Sequence, residues 1–192
     1  MSSGNQRERI TIESGALVLI DQFMLANPQF IEKFNSIIDE GADKKDELIK
    51  SYGGTVVTLT SGTYRIDRDP FACSIIVHGE ASDTEHGDID ETVSDHAGDV
   101  YVDTRCLAMI DRELLDDSQL LEKYQQLWFS GDDKACRDLI RDNGGAVRYG
   151  FQRYGDVLAV YMVPNDNIVC LWPKDRARSS SAHVSEVLHG NA

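Results

Sequence analysis

The sequence predicts an α+β fold: a tandem duplication of a β-α-α-β-β-β module, mostly antiparallel sheet with helices packed on one face, and a pseudo-twofold relation between the copies. Three observations lead there. The stretch LIDQFMLANPQFIEKF (19–34) returns as MIDRELLDDSQLLEKY (109–124), and ELIKSYGGTV (47–56) returns as DLIRDNGGAV (138–147). The offsets are 90 and 91 residues, and with one gap 15 of the 44 positions from Ser14 to Val57 are identical. Each copy also switches at the same place from a short apolar run to helical periodicity and back to alternating strands.

The elements follow in order. Ala16–Ile20 and Cys106–Ile110 are nearly continuous apolar runs, the pattern of strands buried on both faces. An aspartate closes each run, Asp21 or Asp111. Helices come next: Phe30, Ile31, Phe34, Ile37 and Ile38 recur at helical spacing, as do Leu120, Leu121, Tyr124, Leu127 and Trp128. Asn27-Pro28 reads as an N-cap followed by proline in the first turn, and Asp117-Ser118 as the matching cap. Shorter helices over 43–52 and 132–143 end at Gly53-Gly54 and Gly144-Gly145. Glycines that follow a helix cap it, whereas a phosphate-binding loop puts them before one. Strands are expected near 55–59, 63–67 and 72–78, and near 146–152, 157–163 and 168–172. The resulting division is a polar N-terminal segment 1–13, a first repeat 14–78, an acidic connector 79–99, a second repeat 100–173 and a disordered tail 174–192.

Composition narrows the function. At 192 residues, with 41% hydrophobic and 27% charged side chains, the chain has a globular composition, and no apolar run approaches the length of a membrane span. A polar start and four scattered cysteines without CxxC spacing point to a cytoplasmic protein with reduced thiols. A net charge of −14 disfavours nucleic acid as a partner and favours a basic protein. No GxSxG or HExxH motif is present, and Trp128, Phe129 and Trp172 read as core-filling aromatics.

Two groups of residues are candidates for chemistry. The connector holds eight acids and no lysine or arginine, and His78, His86 and His96 lie in or beside it. Histidine and carboxylate together suit a divalent metal, with His78, His86, Asp88 and His96 as the ligand candidates. Asp21 and Asp111 are the catalytic candidates: if the pseudo-twofold brings the two carboxylates together, they form an acid/base dyad. Three functions are therefore in view. The first is a non-enzymatic cytoplasmic binding protein for a basic partner. The second is a metal-dependent hydrolase or metal-regulated protein, and the third a small-molecule sensor with its pocket between the repeats.

Overall fold

The computed structural model describes residues 8–69, 74–79, 94–102, 106–148, 157–163 and 168–173. Its first half runs β1 (Glu8–Ile12), β2 (Ala16–Asp21), a 3₁₀ turn (Gln22–Ala26), α1 (Pro28–Ser36), α2 (Ala42–Ser51), β3 (Thr55–Thr58), β4 (Gly62–Asp69) and β5 (Ser74–Gly79). The second half runs β6 (Ser94–Tyr101), β7 (Leu107–Asp111), α3 (Glu113–Asp116), α4 (Ser118–Ser130), α5 (Asp133–Asp142), β8 (Ala146–Arg148), β9 (Val157–Val163) and β10 (Ile168–Pro173). The α+β class and the antiparallel pairing follow the expectation.

The sequence leaves open how the sheets are layered. There are two sheets, a four-stranded sheet β3-β2-β7-β8 and a six-stranded sheet β1-β4-β5-β10-β9-β6. Successive side chains of a strand point to opposite faces. On one face of the four-stranded sheet Val18, Ile20, Ala108 and Ile110 pack with the helical residues Phe30, Phe34, Ile49, Tyr124 and Ile140. On the other face Leu17, Leu19, Leu107 and Met109 pack with Ile10, Ile66, Val77, Val100, Leu158 and Val169 of the six-stranded sheet. The molecule is thus helices over sheet over sheet. The continuous apolar runs at 16–20 and 106–110 are what a middle layer requires.

The second sheet needs two strands that the sequence division had set aside. β1 falls in the segment assigned as a polar N-terminus, yet its alternation buries Ile10 and Ile12 and leaves Arg9 exposed. β6 begins inside the acidic connector and delivers Val100 to the inter-sheet core. Each half therefore contributes five strands rather than four.

Local chemistry sets the helices. Asn27 Oδ1 accepts hydrogen bonds from Gln29 N (2.9 Å) and Phe30 N (3.3 Å), with Pro28 in the first turn. Asp117 Oδ1 does the same for Gln119 N and Leu120 N, both at 3.0 Å. Each such cap is worth about 1 kcal/mol. Gly53 and Gly144 both adopt φ 81°, closing α2 and α5 in the left-handed region. The glycines after them matter for a different reason. A Cβ on Gly54 would lie 2.8 Å from Ile49 Cγ2, and one on Gly145 would lie 2.7 Å from Ile140 Cγ2.

The halves meet along β2 and β7, which pair antiparallel. Leu17 faces Asp111, Val18 faces Ile110, Leu19 faces Met109, Ile20 faces Ala108 and Asp21 faces Leu107. Two further backbone bonds join the sheets at their corners: Thr11 N donates to Gly144 O and Tyr101 N donates to Gly53 O, each at 2.8 Å.

Candidate functional site

The metal candidates are only partly in view. His86 and Asp88 lie outside the described residues, and His96 is on β6 with its side chain outside them. His78 is on β5, only 8% exposed, in register with Arg65 of β4. Asp67 shares the face of Arg65 because it is two residues on. His78 Nε2 lies 2.6 Å from Asp67 Oδ2, and Arg65 Nε donates to the same oxygen at 3.1 Å. Arg65 also reaches the ring itself, with Nε 3.1 Å from His78 Nε2 and Nη2 3.4 Å from His78 Nδ1. Burial pushes the Asp67 carboxyl up, but the His78 hydrogen bond and the Arg65 guanidinium outweigh it and hold it below the ordinary carboxylate value. A carboxylate already matched by a guanidinium is a poor cation ligand, since the arginine repels the ion. Strands β10 and β9 separate β5 from β6, so His78 and His96 sit about 14 Å apart along the sheet. Among the described residues no group of three or more His, Cys, Asp or Glu side chains is placed to hold a metal ion. Arg65 and Asp67 were not singled out from the sequence, although the alternating YRIDRD pattern marks them as same-face neighbours.

The aspartate pair is not brought together. Asp21 faces Leu107 and Asp111 faces Leu17, at opposite ends of the β2–β7 ladder and about 13 Å apart along it. Antiparallel pairing centred on Leu19 and Met109 makes this unavoidable. Each carboxylate instead serves the backbone beside it. Asp21 Oδ1 accepts from Phe23 N at 2.9 Å, capping the 3₁₀ turn. Asp111, 5% exposed, accepts through Oδ2 from the N–H groups of Glu13 and Ser14 and through Oδ1 from Ser14 Oγ (2.6 Å) and Glu113 N (2.9 Å). Burial pushes this carboxyl up. The Ser14 hydroxyl and the N–H groups of Glu113, Ser14 and Glu13 more than offset that, leaving it below its ordinary value. Asp111 therefore ties the β1–β2 turn to the end of β7.

Among the described residues, one cleft lies where Leu25 of the first half meets the helices of the second. Walled by Leu25, Leu114, Leu121, Tyr124, Leu139 and Ile140, it measures about 20 Å³ and is wholly apolar. Ligand pockets are typically about 300 Å³ or more. Beside it, ion pairs bridge the halves: Lys45 Nζ to Asp116 Oδ1 at 2.7 Å and Arg112 Nη1 to Asp46 Oδ1 at 3.1 Å.

The helical layer carries two surface features that the sequence reading did not locate. Segments 22–52 and 112–143 hold fourteen acids against nine lysines and arginines. Phe129, read as core, is 68% exposed, because it lies off the Leu121–Tyr124–Trp128 stripe of α4. Phe23 is 49% exposed and meets Trp128 edge-on at 5.9 Å, while Trp128 stacks on buried Tyr124 at 6.3 Å. The Trp172 side chain lies outside the described residues.

Compared with protein-family models, with curated proteins and with solved structures, the chain matches none. No helix among the described residues is long and apolar enough to cross a membrane.

Proposed function

We propose that the two halves are copies of one unit related by a pseudo-twofold axis, and that the duplicated scaffold is a non-enzymatic cytoplasmic protein that binds a basic protein partner. Several features support the duplication. Exchanging β1–β5 for β6–β10 turns both strand orders into their own reverse. The β2–β7 register maps onto itself through Leu19–Met109, since Leu17–Asp111 becomes Leu107–Asp21. Thr11–Gly144 and Tyr101–Gly53 exchange in the same way, as do the crowded glycines Gly54 and Gly145.

The observation that carries the binding role is the acidic excess on the helical layer, exposed at Glu32, Asp39, Asp43, Glu47, Glu122, Asp132 and Asp133. An acidic face raises the encounter rate with a cationic partner and disfavours polyanions. The cytoplasmic placement rests on cysteines without CxxC spacing and on the buried thiol of Cys136, which suit a reducing compartment.

The test is fluorescence anisotropy with labelled oligo-arginine and oligo-glutamate peptides at low and physiological salt. The basic probe alone should bind, more weakly as salt rises. Reversing Glu32, Glu47, Asp132 and Asp133 to lysine should weaken it more than reversing the connector acids Glu80, Asp83, Glu85 and Asp88. Absence of binding, or dependence on the connector alone, would contradict the reading.

A further inference from the structure

We propose that Phe23, Trp128 and Phe129 are the contact point for that partner, receiving arginine side chains from a basic segment against aromatic faces on the acidic helical layer. The inference rests on the binding role above and adds the place and the side-chain chemistry.

The fold does not ask for aromatic residues here. Under the 90-residue offset, Phe23 aligns with Glu113 and Phe129 with Asp39, two exposed acids in the other half. Each half thus carries an exposed ring where the other carries an exposed acid. A phenylalanine ring left in water forgoes the gain of burial, a cost that folding does not recover at either position. Their placement is also rigid. Tyr124 is fixed in the core, Trp128 stacks on it, and Phe23 stands edge-on to Trp128 at the surface. Phe129 is the next residue of α4 and projects further into solvent.

Charge selects the occupant. Glu122 lies two helical turns before Phe129 on the same side of α4, and exposed Asp132 and Asp133 follow in the turn to α5. The nearby Lys134 ammonium is matched by Asp138 at 2.8 Å. The C-terminal carbonyls of α4 add partial negative charge at the same end. Aromatic faces beside carboxylates suit guanidinium, which stacks and is weakly hydrated, better than ammonium. Aromatic anchors with a charged rim are also the usual composition of protein-binding hot spots.

The experiment measures oligo-arginine and oligo-lysine peptides binding to the full chain, wild type and F23A/F129A. Both positions are substantially exposed, so the melting temperature should stay within a few degrees. The variant should bind oligo-arginine about tenfold more weakly, with its salt dependence unchanged and with a smaller loss for oligo-lysine. Equal binding of both peptides by wild type and variant overturns the aromatic contact and leaves the acidic-surface reading standing. If wild type binds neither peptide, both fall. Sedimentation on the same samples covers the remaining occupant: a wild-type dimer that becomes monomeric in F23A/F129A would assign the patch to self-association and overturn the proposal.

Discussion

Replacing Asp111 by asparagine tests the tie between the β1–β2 turn and the end of β7. The carboxylate takes four hydrogen bonds, two on each oxygen. Turned the better way, an amide keeps its oxygen on Glu13 N and Ser14 N and sets its NH₂ toward Ser14 Oγ, which can accept, and toward Glu113 N. Glu113 N then loses its acceptor, at about 1 kcal/mol because water reaches the rim of the turn. The three other bonds lose their charge assistance, about 0.5 kcal/mol or more apiece. The sum is about 2.5 kcal/mol. With a urea m-value of about 2 kcal/mol/M, the midpoint should fall by about 1.2 M with the slope unchanged. The pH dependence has a definite sign. The folded carboxyl sits below its ordinary value of 3.8, so its stabilisation is complete above that value and is lost as pH falls through the depressed folded value. The gap between wild type and D111N should therefore be constant from about pH 8 to 5 and narrow only in more acid solution. A midpoint shift below about 0.3 M, or a gap that widens on acidification, would refute this role for Asp111.

Three further outcomes follow from the packing. G54A and G145A should each destabilise by about 1–3 kcal/mol through overlap with Ile49 and Ile140, and the two losses should be similar and additive in urea unfolding; a loss at one site without the other would contradict their equivalence. D116A, which strands the largely buried Lys45 ammonium, should cost about 1–2 kcal/mol, while the K45M/D116L pair should recover most of it; equal losses in thermal melts would contradict this. The Cys136 thiol is pushed up to about 11, by burial first and by Asp133 and Asp132 second, so iodoacetamide at pH 8 should alkylate it only after unfolding. Labelling of Cys136 in the native protein at the rate of a free thiol would show that α5 is not docked.

Much of this architecture is legible in the chain because its signals are local. The caps at Asn27 and Asp117, the left-handed glycines and the doubly buried runs before Asp21 and Asp111 all act within a few residues. What escaped notice depends on long-range partners. β1 and β6 gain their place only from the sheet they complete, and β6 is masked by the acidic composition around it. An Asp21–Asp111 dyad is what a pseudo-twofold relation would by itself allow. The direction of the β2–β7 pairing, which sequence does not announce, sends the two carboxylates to opposite ends. Nearness in sequence groups His78 with the connector, whereas cross-strand register gives it to Arg65 and Asp67. Phe129 adjoins Trp128 in a short aromatic run that reads as core, but its angular position on α4 separates it from the buried stripe.

The central claim is that two like halves meet through one antiparallel strand pair centred on Leu19 and Met109. Backbone NOEs on isotopically labelled protein test it most directly. Cross-strand contacts should join Val18 with Ile110 and Ile20 with Ala108, symmetrically about Leu19–Met109. Contacts in a shifted register, or contacts placing β2 and β7 against other strands, would contradict the account.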